Sequence, residues 1–253
     1  METNLDSEQL QKKHFDAIAA DYSAHYGDSW SQRYRRQFMN DPMLGNIDLA
    51  GANTIEAMAG GGETTAYLLE KGARVTGVDI SQEQIDLFHR RFPSCEIRCT
   101  SMLSTGLASN SYDCVVVLGG LHHLHPNVGE AIREIHRVLK TGGYFCFVEP
   151  HKGSFPDWIR QLWYKSDSLF AANEAAIDVD ALKAQWSSQF KVMTETYKGN
   201  IAYLLVYNSL IFRIPLRLKP LYSPFLLKVE SLVERIIQGR WLSCFVVCQW
   251  RKL

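Results

Sequence analysis

The chain has 253 residues, 46% hydrophobic and 21% charged, enough for one sizeable core and within the range of a single α/β domain. Its 27 basic and 27 acidic residues cancel, and like charges gather only in short clusters such as Arg33, Arg35 and Arg36, which argues against a protein that grips a nucleic-acid backbone. The amino terminus, Met1 to Gln11, is polar and lacks the apolar core of a signal peptide, so the expectation is cytoplasmic residence.

Residues 7–36 show helical spacing through Leu10, His14 and Ile18, interleaved with an aromatic series of Phe15, Tyr22, Tyr26, Trp30 and Tyr34. Rings of this kind suit a helix packed on a sheet and the wall of a ligand pocket equally. Asp41-Pro42 and Gly45 then break the pattern, setting an N-terminal helical cover (1–45) apart from the core (46–151).

That core opens on Thr54 to Thr65, an apolar lead-in with an acid at Glu56, then Gly60-Gly61-Gly62, then a helical pattern through Ala66, Leu68 and Leu69. It reads as strand, tight glycine turn and helix, a unit that holds a ligand at the strand's carboxyl end. A second short strand, Arg74 to Ile80, carries Asp79 at its tip, roughly twenty residues on, where nucleotide folds place a carboxylate on a ribose hydroxyl. Thr65 stands where a dinucleotide fold needs its third glycine, so a pyrophosphate is disfavoured, and the acid at Glu56 suits a ligand with an amino group.

Ser81 is the expected N-cap of a helix with Gln84 at the capping-box position and Ile85, Leu87 and Phe88 inward, ending by Pro93. Glu96 to Cys99 is the third strand. Tyr112 to Leu118 is the fourth, a continuous apolar run of the kind covered on both faces, ending in Gly119-Gly120 and Leu121-His122-His123-Leu124-His125-Pro126. A helix from Val128 to Lys140, closed by Gly142-Gly143, leads to a fifth strand, Tyr144 to Val148, and to Glu149-Pro150-His151 at its tip.

Together these stretches resemble the class I S-adenosylmethionine-dependent methyltransferases that act on small molecules. The family's first motif, VLDLGCGTG, aligns onto Thr54 to Gly62, with Glu56 in the acidic position, Gly60 and Gly62 as the later glycines and Met58 in place of the first. Glu134 to Gly143 is similar to the late RVLKPGG motif, and Phe15-Asp16 through Ala19 to Tyr22 is similar to a stretch that covers the cofactor. The resemblance implies a doubly wound seven-stranded α/β sheet, last strand antiparallel, with S-adenosylmethionine as cofactor. It assigns the donor to Tyr22, Glu56, Ala57, Met58, Gly60, Gly62, Asp79, Ile80, Ser101, Met102 and Gly119. Ser101 replaces the family's aspartate towards the adenine amino group; its hydroxyl can still accept a hydrogen bond, and Met102 can lie on the adenine face.

A base near the acceptor would come from His122, His123, Glu149 or His151, with His122 preferred, because histidine takes protons near neutral pH and adjacent strand tips converge on one crevice. The structural alternatives are a loop-fixing histidine pair and a strand end turned by Pro150.

The remaining half (152–253) carries acceptor specificity in such proteins. Trp158, Ile159, Leu162, Trp163 and Phe170 form an aromatic helical face, Asp178 or Asp180 caps a helix bearing Leu182 and Trp186, and strands six and seven fall at Phe190 to Tyr197 and Leu242 to Trp250. Between them the insert 199–240 is far longer than a hairpin needs, with an apolar run too short to span a bilayer. Four uses stand open: a helical lid over an apolar acceptor, a homodimer contact, a peripheral membrane contact with Arg213, Arg217, Lys219 and Lys228 as its basic side, or packing onto the domain. The six cysteines fall mostly in apolar runs with no histidine at finger spacing, so they read as core thiols and no metal is expected.

The implied activity is methyl transfer to a small, lipophilic or aromatic acceptor, oxygen favoured over nitrogen or carbon, as in specialised-metabolite or quinone and lipid biosynthesis. A non-methylating rearrangement on the same fold and a non-catalytic partner subunit are the competing readings.

Overall fold

The computed structural model describes residues 2–164, 174–236 and 239–253. Helix α1 (Glu2–Gly27) is followed by α2 (Ser29–Arg35), whose first turn is capped by the Asp28 carboxylate accepting from Trp30 N at 2.9 Å, and a π turn leads into α3 (Asp41–Leu44). The sheet then begins with β1 (Asn53–Ala57), α4 (Thr65–Glu70), β2 (Arg74–Asp79), α5 (Gln82–Arg91), β3 (Glu96–Cys99) and β4 (Tyr112–Leu118). It continues with α6 (Val128–Val138), β5 (Leu139–Pro150), α7 (Phe155–Tyr164), α8 (Val179–Trp186), β6 (Phe190–Lys198), α9 (Lys219–Ile236) and β7 (Phe245–Lys252).

Strand order is β3-β2-β1-β4-β5-β7-β6, parallel except for β7, which runs antiparallel to both its neighbours, as expected. The chain winds outward in opposite directions from β1 and β4, so the crevice for a ligand lies at their carboxyl ends. Both faces are covered, which is why β4 is apolar throughout: Cys114 and Val116 pack into the layer with α2, α3 and the insert, Val115 and Val117 into the layer with α6 and α8.

Three boundaries differ from expectation. Helix α6 stops at Val138, and β5 starts at Leu139, because Leu139 pairs with Tyr112 across a bulge and the chain must pass close to β4: a Cβ on Gly143 would sit 3.1 Å from the Asp113 carbonyl. Strand β7 starts at Phe245, since Arg240–Leu242 forms a 3₁₀ turn. On α7, Trp158 and Ile159 of the expected aromatic face are 58% and 42% exposed; Phe170 lies outside the described residues.

The insert is sewn onto the N-terminal helices by buried polar groups. Glu230, fully buried on α9, accepts from the amides of Asn200 (2.7 Å) and Ala202 (2.8 Å) and from the Tyr34 hydroxyl (2.9 Å). Lys219, 1% exposed, donates to the His25 carbonyl, the Ser31 hydroxyl and the Asp28 carboxylate. The Tyr26 hydroxyl donates to Asn208 at 2.9 Å. Burial of such groups is tolerated only when each is paired, so these contacts fix one position for the insert. Among the described residues no helix is long and apolar enough to cross a membrane.

Candidate active site

At the tip of β1 the chain turns through Met58 and Gly60, both at φ +52°. The Gly60 amide donates to Asp79 Oδ2 at 2.8 Å, and Asp79 Oδ1 accepts from Ser81 N at 2.9 Å, so the carboxylate at the end of β2 braces the turn. Burial pushes the Asp79 carboxyl up from its ordinary range, against the amides of Ser81, Gly60 and Ile80. Glu56, buried at 4% exposure, accepts from Thr64 N at 2.6 Å and from the Thr65 hydroxyl, tying β1 to the first turn of α4. Its burial pushes the carboxyl up to about 7. Met58 fills the space over Gly120, where a Cβ would come within 2.7 Å of its methyl.

Ten of the expected donor residues line one cleft: Tyr22, Glu56, Ala57, Met58, Gly60, Asp79, Ile80, Ser101, Met102 and Gly119. Gly62 does not. At φ +82° its α-carbon faces α5, and a Cβ there would lie 2.5 Å from the Phe92 ring, so this glycine serves helix packing and is corrected from ligand contact to close approach.

Three cleft residues escaped the sequence reading. Gln84 donates its backbone amide to Ser81 Oγ at 3.3 Å, half a capping box, but its side chain turns into the cleft. At 2% exposure neither end of that amide has a hydrogen-bond partner. Arg35, read only as part of a short basic cluster, is fully buried: Nη1 donates to Glu63 at 2.7 Å and Nη2 to the Tyr207 hydroxyl at 3.4 Å, bridging cleft and insert. Gln11 of α1 closes the cleft from above. Gln84 could have been found by asking where a polar side chain points on the second turn after Asp79; Arg35 gave no local signal.

A second compartment of about 650 Å³ opens beside the cleft, walled largely by aromatic and aliphatic side chains of α1, α7, the insert and β7. Tyr22, Leu118, Gly119 and His123 line both compartments, so they meet at the tip of β4. Glu149, fully buried, accepts from the amides of Gly120 (2.8 Å), Leu121 (2.7 Å) and His122 (3.3 Å) and lies 2.8 Å from His122 Nδ1. Burial raises this carboxyl to about 7, and burial, then the neighbouring His123, holds His122 well below the usual imidazole range. Glu174 Oε1 lies 3.3 Å from His123 Nδ1.

His151 is placed elsewhere. It is buried outside the chamber lining, with Nε2 on the Ser243 hydroxyl (2.8 Å) and carbonyl (3.2 Å) and Nδ1 on the Lys152 carbonyl (3.3 Å), so it ties β5 to the turn before β7 and is not brought together with the other candidate bases. Of the six cysteines, all free, five are buried and Cys99 is exposed. Among the described residues the one grouping of metal-type donors is His122, His123 and Glu174, with no cysteine in it.

Residues 55–147, which hold the glycine turn, Asp79 and the histidine loop, match the family model described as a methyltransferase domain. The chain carries a class I S-adenosylmethionine-dependent methyltransferase domain. Its cofactor is S-adenosylmethionine. This domain is similar to an uncharacterized methyltransferase of Synechocystis sp., 29% identical over 110 residues covering 43% of this chain and 51% of that one. It is also similar to the ubiquinone/menaquinone biosynthesis C-methyltransferase UbiE of Rubrivivax gelatinosus, 31% identical over 167 residues, 62% of this chain and 61% of that one. The methyltransferase match spans about half the length of the first of these relatives. In fold, the chain is similar to the solved [4+2]-cyclase SpnF, TM-score 0.65 at 14% identity, covering 97% of this chain and 96% of that one.

Proposed function

We propose that this protein transfers the methyl group of S-adenosylmethionine to an oxygen of a small lipophilic acceptor held in the aromatic chamber. The observation that carries the reading is the shared wall: cleft and chamber meet at Tyr22, Leu118, Gly119 and His123, where a donor methyl and an acceptor atom would face one another. In the cleft, Asp79 would take the ribose hydroxyls, Gly60 the close approach of the methionine part, Glu56 its ammonium, and Ser101 with Met102 the adenine. The buried, unpaired amide of Gln84 supports a polar ligand there, since such a group is left dry only where something else is to meet it. Helix α1 lies across the cleft, where the Ser81 hydroxyl donates to the Asp16 carboxylate.

The bound cofactor supplies an electrophilic methyl carbon on sulfur. The protein's task is then to align a nucleophile behind that carbon and exclude water, and orientation alone is worth on the order of several kcal/mol of barrier. Glu149 orients His122 through Nδ1 and leaves Nε2 to accept a proton, but it also pins the loop through three amides, so it is a positioning residue. His123, at the junction of both compartments, is the favoured base. His122 stands beside it.

The test is incubation with S-adenosylmethionine and a panel of alkylated phenols, quinols and enols. Release of S-adenosylhomocysteine with a matching mass gain in the acceptor supports transfer. An isomerised product of unchanged mass would establish the rearrangement reading instead, and failure to bind S-adenosylhomocysteine would leave a partner subunit.

A further inference from the structure

We propose that this protein docks on an anionic lipid surface through the outer face of α9, lying in the headgroup region. Helix α9 is built inside out. Toward the domain it buries Lys219, Ser223, Leu227 and Glu230, and outward it turns Leu221 (79% exposed), Phe225 (67%), Leu232 (57%) and Ile236 (73%). Their spacing puts these four on one face, the reverse of a helix that packs its apolar stripe on a core.

Large apolar side chains this far out of an 18-residue helix form a crest and not a groove, so a soft apolar phase fits them better than a rigid protein socket. The charge on this face says which phase. Arg217, just ahead of α9, and Lys228 and Arg235, two turns apart on it, are all exposed. The carboxylates of residues 217–236 are withdrawn: Glu230 is buried, and Glu234 pairs with Lys198 at 2.6 Å. An apolar stripe with a purely cationic flank is the pattern that binds anionic headgroups. Lys219, expected from sequence on that basic side, is bound inward, and Arg235 takes its place. A second copy set face to face would bring the cations together with no exposed acid of α9 to meet them. No described helix is long and apolar enough to cross a membrane, so the fit is to lie on the surface.

The rim of the chamber carries the same character. Phe155, Ile159, Ile201 and Leu242 line the chamber and are themselves exposed. Trp241, which follows α9 in the chain, stands in solvent with its ring 5.7 Å from that of Phe155. Tryptophan favours the headgroup level of a bilayer, where its body is in apolar contact and its N–H is wet. Docking needs nothing from the acceptor reading above. With a lipophilic acceptor, it would set the chamber beside the phase in which that molecule dissolves.

The test is flotation of the full chain with phosphatidylcholine vesicles and with vesicles that also contain phosphatidylglycerol, at low and at high salt. The protein should partition onto the anionic vesicles on the order of a hundredfold more strongly than onto the neutral ones, roughly fivefold per cation, and the preference should shrink as salt rises. Phe225→Ser with Ile236→Ser should release it from both. Arg217→Gln with Lys228→Gln and Arg235→Gln should erase the preference for charge. Both sets change exposed positions outside cleft and chamber, and melting curves that match the parent's show that they fold; should either set misfold, the parent's lipid and salt dependence still decides. No flotation with either vesicle overturns docking, as does undiminished flotation of the serine pair. Equal partition onto both vesicles overturns the role of the cations. A concentration-dependent dimer in sedimentation without lipid, broken by the serine pair, gives the face to a second copy and overturns lipid docking. None of these readouts involves the acceptor, so failure of that reading leaves them unchanged.

Discussion

The cofactor cleft and the acceptor chamber share a wall but are built in opposite ways. In the cleft, decisive bonds join near neighbours: Glu56 to Thr64 across eight positions and Asp79 to Gly60 across 19. Around the chamber they join the chain's two ends: Tyr34 to Glu230 across 196 positions, Lys219 to Asp28 across 191 and Arg35 to Tyr207 across 172. A short-range site survives wherever its strand–turn–helix unit forms. A long-range one exists only when the whole domain is assembled, so the two should fail separately.

Arg35 is the residue that should break both together. Arg35→Met leaves Glu63 buried without its closest cation, and we expect a loss of about 4 kcal/mol in urea unfolding, with both cofactor and acceptor binding weakened. Glu230→Ala should separate them: two amides and a tyrosine hydroxyl lose their acceptor, costing about 3 kcal/mol on the chamber side. Binding of S-adenosylhomocysteine should persist while that of alkylated acceptors fails; loss of both would show that the two regions are one cooperative unit.

Glu56 sharpens the contrast through pH. Its folded carboxyl sits at about 7, above the ordinary 4.5, so it contributes stability that is fully present below pH 4.5 and lost as pH rises through 7. Glu56→Gln removes that dependence, and the variant should gain on the parent by up to about 3 kcal/mol between pH 4.5 and 8, read from paired unfolding curves. A constant difference across that range would place the group in solvent contact.

Asp79→Ala acts in the cleft alone. Removing a carboxylate that holds the Gly60 and Ser81 amides should weaken S-adenosylhomocysteine roughly a hundredfold by calorimetry. Chamber contacts such as Tyr34 to Glu230 should be untouched. Smallest of all is Arg36→Ala: Arg36 neighbours Arg35 in sequence but makes an exposed pair with Glu70, and its melting curve should overlay that of the parent.

Strand and helix identity was legible because period and turn chemistry are local. All seven strands lie where alternation, apolar runs and glycines place them, within a few residues at the ends. Ten of the eleven residues assigned to the donor lie in one cleft for the same reason. Gly62 misled because a motif records that a glycine is required and not which neighbour requires it; here it is Phe92. His151 misled because a polar group at a strand tip can face the crevice or the turn behind it, and Ser243, 92 positions away, decides.

By itself, then, the order of residues determined a nucleoside-type cleft at the tips of β1, β2 and β4, because glycine conformations, carboxylate spacing and strand periodicity act over a turn or two of chain. Only the tertiary structure decided that Arg35 is buried, that Gln84 faces the cleft, that the insert is a chamber wall and that Glu149 and Glu174 each stand close to a histidine. Those are outcomes of desolvation and packing between distant segments, and no local pattern encodes the partner that a buried charge will meet.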